Sequence, residues 1–359
     1  MLDELDRALI HALHIDGRAS FAQLATVLAV SPQTVSRRYD RLREQAALRV
    51  VGLSDARLTG HEQWLLRLTT APETALDLAH ALVRRTDTSW VYLTGGGTEI
   101  VAVLETPLGT AHGHSLLLHE LPPSVGLTAV SAHHLLHTYL GGRTPWRMSA
   151  NALTPRQQLA LRATRSGGER EGDRGRDQEE GWREGGIESP PPDQHRHRHR
   201  HRHVQLSPAD HALMAALRRD GRAAVGELAA GTGWSPATVS RRLDHLRACG
   251  AIFFDIELDP ALLGGSVKVL LWMAVAPAHL DEVATTLAGH DELAFVAHTT
   301  GPTNLVAHAL CRNTAALYRY LTDGLGSVKA IRTLETAPVL KTLKAVGTLP
   351  SPGAPSRRE

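Results

Sequence analysis

The chain carries SPQTVSRRYDRLR at residues 31–43 and repeats it as SPATVSRRLDHLR at residues 235–247, with ten of the thirteen positions identical. Each copy opens with a serine, a favoured N-cap, and a proline, whose missing N–H costs nothing at the first helical position. A step of 100° per residue places Val35 and Leu42 on one face and Arg37 on the opposite face. The repeat therefore predicts two helices, each with an apolar seam backed by a basic, hydrogen-bonding face.

The residues before each copy add two further helices. Apolar residues recur at helical spacing over residues 2–15, and an Asp-Gly-Arg sequence at residues 16–18 ends that helix with a glycine. A second short helix is predicted at residues 21–28, and a brief turn joins it to the repeated helix. The second copy follows the same plan, with its own Asp-Gly-Arg at residues 220–222. Three helices with a tight second turn predict helix-turn-helix domains, including a following wing or connecting strand, at residues 1–53 and 205–258.

Each helix-turn-helix is followed by alternating strands and helices. In the first module, strands are predicted at residues 64–69, 90–94, 99–105, 125–133 and, as a short further strand, 135–139, with helices at 72–84 and 110–121. In the second module, strands are predicted at residues 267–275, 293–300, 305–311 and 328–335, with helices at 277–288 and 313–324. The order βαββαβ is a split βαβ, or ferredoxin-like, pattern. We therefore predict an α+β fold of two tandem modules, with ferredoxin-like domains at residues 60–145 and 265–347.

The segment between the modules has a different composition. Residues 164–203 are mostly Gly, Arg, Glu, Asp and Pro, and they end in a tract at 195–203 where histidine alternates with arginine. Such a segment cannot bury enough apolar surface to offset its ordering entropy, so we interpret it as a disordered linker that follows a short helix at 153–161. The His/Arg tract leaves a surface Zn²⁺ or Ni²⁺ site and a phosphate contact as alternatives to a solvated linker. A disordered tail is predicted at residues 348–359.

Composition excludes several classes of function. The 359 residues have a formal net charge of +2, and Cys249 and Cys311 stand apart without metal or redox spacing. No apolar run approaches the roughly eighteen residues that cross a membrane, and the charged N-terminus does not resemble a signal peptide. No Ser-His-Asp, Cys-His or paired-carboxylate spacing indicates catalysis, and His133, His134 and His137 are interpreted as structural polar residues. We therefore expect a cytoplasmic protein with no enzymatic activity, no cofactor, no metal and no membrane partner.

The basic face of the repeated helices matches the geometry of DNA recognition. A major groove about 12 Å wide admits one helix, whose arginines can contact guanine and whose Gln, Thr and Ser can contact other bases. Burying the apolar seam does not require Arg37 to recur as Arg241, so the recurrence favours a shared function. Arg38 and Arg242 lie nearer the seam, where a phosphate contact and an intradomain ion pair are both open. The residues predicted to bind double-stranded DNA are Ser31, Gln33, Thr34, Ser36, Arg37, Arg38, Arg41, Ser235, Thr238, Ser240, Arg241, Arg242 and His245.

The order of these motifs resembles the Lrp/AsnC family of transcriptional regulators. The resemblance rests on the Ser-Pro-x-Thr-Val-x-Arg-Arg helix, an Asp-Pro-x-x-x-Gly hinge at residues 259–264, and a βαββαβ domain with a glycine between its central strands. It covers both modules. Most members have one module per chain, dimerise through the βαββαβ domain and, in many cases, bind amino acids or related metabolites there. The resemblance therefore implies a nucleoid-associated regulator made of two fused protomers, whose ferredoxin-like domains serve for effector binding and dimerisation.

The resemblance also implies a position for an effector near the glycine between the central strands. Many members have an acidic residue just after that glycine, and the matching positions are Glu99 and Asn304. A ligand ammonium would meet a charge in the first module only, and a plain hairpin turn is the alternative interpretation. The implied effector-binding residues are Gly96, Thr98, Glu99, Gly301, Thr303 and Asn304.

Fusion of two protomers has a consequence for DNA recognition. A dimer places two recognition helices about one DNA turn apart, roughly 34 Å. Here the two helices differ, with Gln33 matched by Ala237 and Arg41 matched by His245. We hypothesise that one chain forms a pseudo-dimer that reads two unequal half-sites. A linker of this length also permits pairing between chains, so a homo-oligomer remains open.

Two other classes of function fit the same plan. Siroheme decarboxylases share this two-domain architecture and use histidines and arginines to hold a tetrapyrrole, so a siroheme decarboxylase-like enzyme is one alternative. A metabolite-binding assembly protein, whose helix-turn-helix domains only mediate contacts, is the other. The third helix distinguishes a DNA-binding regulator from the enzyme, because a DNA-binding protein needs the exposed arginines that appear twice here and an enzyme does not. Salt-insensitive or absent DNA affinity would indicate the assembly protein.

Overall fold

The computed structural model describes residues 2–109, 126–142, 146, 152–167 and 204–345. Within these residues it confirms the α+β fold and the two tandem modules, each a helix-turn-helix followed by a ferredoxin-like domain. The helix predicted at residues 110–121, most of the predicted linker and the predicted tail lie outside the described residues.

The first module follows the predicted order over its described residues. Its helices and strands are α1 Glu4–Ile15, α2 Phe21–Leu28, α3 Pro32–Gln45, β1 Arg49–Ser54, β2 His61–Thr70, α4 Pro72–Arg84, β3 Thr88–Thr94, β4 Glu99–Pro107 and β5 Leu127–Leu140. Reciprocal capping boxes begin α1 at Asp3 and α2 at Ser20, and Ser31 caps α3 with Pro32 at its first position. Helix α5, Pro155–Gly167, follows this module and packs against it through the buried Leu161.

The second module repeats the plan. Its helices and strands are α6 Pro208–Arg219, α7 Val225–Thr232, α8 Pro236–Ala248, β6 Ile252–Glu257, β7 Val267–Val275, α9 Leu280–Leu287, β8 Leu293–Thr299, β9 Leu305–Cys311, α10 Thr314–Arg319, β10 Ile331–Pro338 and β11 Lys341–Lys344. The helix predicted at residues 313–324 continues beyond α10 as a π-helical turn, Tyr320–Leu325. Strand β11 is an element that periodicity alone did not predict.

The strands form one ribbon and one large sheet. Strands β1 and β6, one from each module, pair antiparallel as a two-stranded ribbon. The other nine strands are hydrogen bonded in the order β10-β7-β9-β8-β5-β2-β4-β3-β11. The C-terminal part of each module pairs first with a strand of its own module and then with an edge strand of the other module. Each module therefore contributes a segment to its partner's half of the sheet.

This exchange explains two differences from the expectation. The separate strands predicted at residues 125–133 and 135–139 are one strand, β5, whose first half pairs with β2 and whose second half pairs with β8. In the second module the exchange is made in two parts, because β10 pairs with β7 and the chain then continues into β11, which pairs with β3. No local sequence signal marks a strand that changes partners halfway along its length.

The two halves of the sheet pack face to face. We call the apolar layer between them the inter-sheet core, and its buried members are Leu65, Tyr92, Val101, Val103, Leu135, Leu270, Trp272, Ala297, Val306 and Ala337. The outer faces are covered separately, by α4 in the first module and by α9 and α10 in the second. A pseudo-twofold relation thus connects the modules within one chain, as a true twofold connects the subunits of a dimer.

Candidate nucleic-acid interface

The two repeated helices begin with the same hydrogen-bonded cap. The Oγ atom of Ser31 accepts the backbone N–H of Thr34 at 3.1 Å and lies 2.9 Å from the Thr34 hydroxyl. Ser235 and Thr238 repeat both contacts, at 3.2 and 2.9 Å. These four predicted DNA-binding side chains therefore cap the N-termini of α3 and α8. Part of each side chain remains exposed there.

The face opposite the apolar seam is open to solvent in both helices. On α3, Gln33, Arg37 and Arg41 are exposed, and on α8, Arg241 and His245 are exposed. Their apolar partners lie on the other side, where Val35, Tyr39, Leu42, Val239, Leu243 and Leu246 are buried. Ser36 and Ser240 are half-buried at the edges of these faces. Within the described residues, neither Arg37 nor Arg241 has a hydrogen bond or an ion pair, so both guanidinium groups are available.

Arg38 and Arg242 form the intradomain ion pairs that their position near the seam left open. Arg38 donates to Asp6 at 2.9 Å and also pairs with Asp3. Arg242 donates through Nε and Nη2 to the two oxygens of Asp210, at 2.6 and 3.0 Å. The hydrogen bond from Arg38 lowers the pKa of the Asp3 carboxyl below its ordinary value. These two arginines fasten the third helix to the first helix of their own domain.

Arg41 is where the two helices differ most. Its Nη2 atom lies 2.5 Å from both oxygens of Asp6, although 42% of its side-chain surface remains exposed. The equivalent residue of α8 is His245, which is exposed, and the equivalent carboxylate, Asp210, is bound by Arg242 alone among the ion pairs of the described chain. The first helix therefore presents an arginine that is bound to a carboxylate. At the equivalent position the second helix presents an imidazole that has no hydrogen bond or ion pair with any residue described in the structure.

A reciprocal arginine contact joins the two helix-turn-helix domains. Arg18 donates to the carbonyl of Gly221 at 2.6 Å and to that of Ala223 at 3.1 Å. Arg222 donates to Gly17 at 2.6 Å and to Ala19 at 3.0 Å, and so makes the same two contacts in the opposite direction. We call this region, together with the β1–β6 ribbon, the helix junction.

Close backbone approach completes the helix junction. The N–H of Gly221 donates to Val50 of β1 at 2.7 Å, and a Cβ on Gly221 would lie 2.9 Å from that same carbonyl oxygen. The Arg222 guanidinium lies over the rings of Phe21 and Tyr39, at 4.9 and 5.3 Å from their centroids. As a local pattern, the Asp-Gly-Arg repeats predict only helix ends. Their identity at residues 16–18 and 220–222 was the signal for a shared contact.

The implied effector-binding residues are engaged in different ways. In the first module, Glu99 is buried, accepts a hydrogen bond from Arg67 at 2.8 Å and accepts another from the Thr94 hydroxyl at 2.6 Å. The Thr98 hydroxyl donates to the Gly95 carbonyl at 3.1 Å. Gly96 has a φ of +72° in the turn between β3 and β4 and open space around it.

The equivalent residues of the second module are held by their neighbours. Asn304 accepts from the N–H of Val275 and donates to its carbonyl, both at 2.9 Å, and therefore secures the end of β7. Gly301 has a φ of +107°, and a Cβ there would lie 2.4 Å from Nδ1 of His133. The carbonyl of Thr303 accepts from Thr299 at 3.0 Å. The second loop thus packs against β5, whereas the first is more open.

The described residues contain one further concavity of note, beside the hinge that follows β1. This cleft has a volume of about 310 Å³ and is lined in part by Arg57, His61, Glu62 and His134. Side chains of this cleft already have partners, since Nε2 of His134 lies 3.4 Å from a carboxylate oxygen of Glu62 and Nδ1 of His61 lies 3.8 Å from one of Glu105. No cluster of three or more metal-ligating side chains occurs in the part of the chain that the structure describes. In that same part, no helix has the length and apolarity needed to cross a membrane.

Two helix-turn-helix domains with exposed basic faces, attached to paired ferredoxin-like sheets, are the domains expected of a transcriptional regulator with a ligand-binding domain. The AsnC-type helix-turn-helix domain matches this chain twice, at residues 2–43 and 206–247, and the Lrp/AsnC ligand binding domain matches residues 268–349. The chain belongs to the Lrp/AsnC family of transcriptional regulators.

Regulators similar to this chain match about two fifths of its length. The HTH-type transcriptional regulator FL11 of Pyrococcus horikoshii is 32% identical over 148 residues, which are 41% of this chain and 97% of that protein. The regulatory protein AsnC of Escherichia coli is 27% identical over 142 residues, 38% of this chain and 93% of AsnC. These regulators correspond to one module each, so this chain carries the content of two.

A solved structure shares the two-module arrangement. The siroheme decarboxylase NirDL superposes with a TM-score of 0.58 over 96% of this chain and 93% of its own, at 12% identity. At that identity the likeness concerns the fold alone. It indicates that two modules of this type pair in the same way in another protein.

Proposed function

We propose that one chain binds DNA as a pseudo-dimer, with α3 and α8 entering successive major grooves and reading two unequal half-sites. The observation that carries the proposal is the reciprocal contact of Arg18 and Arg222, which relates the two helix-turn-helix domains by a pseudo-twofold operation. Operators with two related half-sites mirror such symmetry in the protein. Because the two helices are not identical, the two half-sites are not expected to be identical either.

The side chains divide into those that read bases and those that position the helix. Arg37 and Arg241 are exposed and unpaired in the described chain, so we assign them to guanine contacts. Ser36 and Ser240 provide further contacts that the two helices share, and Gln33, Arg41 and His245 provide contacts that differ between them. Arg38 and Arg242 are assigned to positioning, since their guanidinium groups bind carboxylates. Ser31, Thr34, Ser235 and Thr238 hold the helix N-termini, whose backbone N–H groups suit a phosphate.

Footprinting with single substitutions tests this proposal. Arg37→Ala and Arg241→Ala should each remove protection at one half-site and leave the other, with a loss of about 1–3 kcal/mol in binding free energy. Arg84→Ala and Arg319→Ala are matched controls, because both are exposed arginines on the helices of the ferredoxin-like domains. Loss of both half-sites together from either substitution would contradict two independent recognition helices. Absence of DNA binding by the parent chain at low salt would overturn the proposal entirely.

We further propose that a small metabolite, such as an amino acid, modulates this binding from the loops at Gly96, Thr98 and Glu99 and at Gly301, Thr303 and Asn304. The match of the second module to a ligand binding domain supports the assignment. The Glu99 carboxylate is already bound by Arg67, so an ammonium group would have to compete with a guanidinium. Calorimetric titration of the twenty amino acids into the parent and into Glu99→Gln tests it. Binding that is unaffected by Glu99→Gln and by Gly96→Val would place the effector elsewhere.

A siroheme decarboxylase-like activity is the second candidate, favoured by the shared arrangement with NirDL over nearly the whole chain. We assign the chain no enzymatic activity, because its relatives are regulators and its third helices keep their exposed arginines. Titration of siroheme, followed by its absorption spectrum and by mass analysis of the porphyrin, decides between the two. A stoichiometric spectral shift with loss of carboxylate mass would replace the regulator assignment with the enzyme.

A further inference from the structure

Arg67 and Trp272 occupy equivalent positions in the two modules and lie against each other across the inter-sheet core. On β2, Arg67 pairs with Val101 of β4, and on β7, Trp272 pairs with Val306 of β9. Val101 and Val306 correspond in the aligned repeat, so Arg67 and Trp272 correspond as well. The Arg67 guanidinium carbon lies 4.5 Å from the centroid of the Trp272 ring. A contact between equivalent residues lies on the pseudo-twofold axis, where each module meets its counterpart most directly.

Charged residues surround this contact unequally. Arg67 donates to Glu99 of its own module at 2.8 Å, and to the two oxygens of Glu335 of the other module at 3.1 and 2.6 Å. The hydrogen bond from Arg67 lowers the pKa of the Glu335 carboxyl below its ordinary value. The residue equivalent to Glu335 is Ser131, and the residue equivalent to Glu99 is Asn304. The first module therefore contributes the arginine and one carboxylate of this cluster, and the second contributes the tryptophan and the other carboxylate.

The other possible pairings lose both the bidentate contact of Arg67 with Glu335 and the contact of Arg67 with Trp272. Two first modules would place two Arg67 guanidinium groups face to face on the axis, each with only its own Glu99 and with Ser131 where Glu335 now stands. Two second modules would place two Trp272 rings together beside two Glu335 carboxylates and no cation. Like charges brought together in a partly buried interface lower affinity and exclude wrong partners.

We propose that this cluster makes the inter-sheet core selective, so that a first module pairs with a second module and rejects a second copy of itself. The partner that fits the first module's inner sheet face is therefore the second module, in the same chain or in another. This proposal deepens the proposed pseudo-dimer, because it keeps two different recognition helices together. It concerns the sheets alone and is measured without DNA, so its failure and that of the DNA-binding proposal are separate results.

A second asymmetric contact in the same layer supports the proposal. The rings of Tyr92 and His308 lie 5.3 Å apart across the inter-sheet core. The equivalents of these residues are Ala297 and Val103, which belong to the same layer. Two second modules would place His308 against a small alanine twice and leave space beside a buried imidazole. The Nε2 atom of that imidazole has no hydrogen-bond partner among the described residues. The mixed pairing instead fills that space with the tyrosine ring.

Refolding of a cleaved chain tests the selectivity directly. A protease recognition sequence is inserted between residues 180 and 181 of the full-length chain, and the folded protein is cleaved, unfolded in urea, refolded and weighed by native mass spectrometry. Selective pairing should give mixed pairs in at least tenfold excess over the statistical ratio of two mixed pairs to one of each like pair. Trp272→Arg should reduce that excess at least tenfold. Thr336→Arg is the matched control, because it adds the same charge at an exposed position of β10 and should leave the excess unchanged.

Two results would overturn the proposal. One is a statistical mixture from the parent protein, and the other is an unchanged excess in Trp272→Arg. If the cleaved halves do not refold, thermal unfolding of the intact chain decides, with Arg67→Met, Trp272→Leu and the double variant. Coupled residues predict that the double variant loses clearly less in Tm than the sum of the single losses. Additive losses would overturn the proposal in that case.

Discussion

At the helix junction the two modules use the same residues against each other, whereas in the inter-sheet core they use different ones. Arg18 and Arg222 exchange identical contacts with backbone carbonyls. In the inter-sheet core, Arg67 contacts Trp272, which occupies the equivalent position of the other module but has a different side chain. A symmetric junction would stabilise like pairs and mixed pairs of modules equally. It therefore contributes affinity but no selectivity between partners. Selectivity between partners can come from the asymmetric inter-sheet core.

This difference suggests a division of roles along the molecule. The junction fixes how two helix-turn-helix domains are oriented, and an ancestral dimer of identical modules could have used it unchanged. The core has no such constraint once both halves lie in one chain, because each side of the axis can then change independently. Substitutions in the helix junction test whether it behaves as the symmetric region.

The largest effect is expected from Gly221→Ala. The added Cβ would lie 2.9 Å from the Val50 carbonyl oxygen and 3.0 Å from two backbone carbons of β1. Backbone atoms of a paired strand cannot move aside cheaply, so the free energy of unfolding should fall by about 2–3 kcal/mol in urea titrations. Gly226→Ala is the matched control, since nothing lies within 4 Å of its added Cβ and alanine favours a helix by up to about 1 kcal/mol. Equal effects from both substitutions would contradict close packing at the junction.

Removal of the reciprocal arginines should have the next largest effect. Arg222→Met leaves two backbone carbonyls without their donor and should lower the free energy of unfolding by about 1–3 kcal/mol. Arg18→Met should cost somewhat less, because Arg222 lies over two rings, Phe21 and Tyr39, and Arg18 over one. Thermal unfolding compares both with Arg84→Met, an exposed arginine of α4 that should change little. A loss from Arg222→Met as small as that from Arg84→Met would show that the contact adds no stability.

These residues also mark the limit of what the sequence could predict. The helix-turn-helix domains followed from caps, glycine stops and apolar spacing, which are local properties of the chain. The exposure of Arg37 and Arg241 followed from the same periodicity. The roles of Arg18 and Arg222 did not, because a turn residue that bonds to the other module looks the same as one that faces solvent.

The sheet shows the same limit at longer range. Alternation predicted most strands, but the two strands assigned around residue 134 are one strand, β5, that changes partners halfway along. The contact of Arg67 with Trp272 depends on that exchange and on the register of both halves. Arg67 alternates with apolar neighbours on β2, and such a pattern predicts a solvent-facing side chain. The position on the pseudo-twofold axis appears only when the two modules are assembled.

The helix junction also contains a contact between two titratable side chains that the repeat does not duplicate, and its effect on stability can be measured as a function of pH. Asp255 of β6 and His14 of α1 approach to 3.9 Å, and their equivalents in the repeat, Val51 and Arg218, cannot form this pair. Burial raises the pKa of Asp255 to about 6 and lowers the pKa of His14 to about 4. The raised pKa means that the folded state holds a proton which the unfolded state releases, so the Asp255 contribution to stability is lost as the pH rises from about 4 to 6.

Asp255→Asn removes this contribution and keeps an acceptor for the backbone N–H of Ile256. The variant and the parent should be about equally stable near pH 4, and the variant should be more stable by about 1–2 kcal/mol above pH 6. His14 acts with the opposite sign, since its lowered pKa costs stability as the pH falls from about 6.5 to 4, and it does so equally in both proteins. Urea titrations from pH 4 to pH 7 measure the difference. A variant that is less stable than the parent at pH 7 would show that Asp255 is stabilised as an ion pair with His14.

The smallest effect on stability is expected at the helix surface, from Arg41→His. This substitution gives α3 the residue that α8 has at the equivalent position, His245, and removes the pair with Asp6. Because the Arg41 side chain is 42% exposed and Asp6 keeps Arg38, the free energy of unfolding should fall by less than about 1 kcal/mol.

The effect of Arg41→His on DNA recognition should be larger, since an arginine that can contact guanine is replaced. Selection of bound DNA fragments should then show a first half-site that becomes more like the second, while Glu44→Gln, an exposed change one turn further along α3, should leave both unchanged. A first half-site that is unaltered by Arg41→His would assign Arg41 to Asp6 alone and place the difference between the half-sites at Gln33.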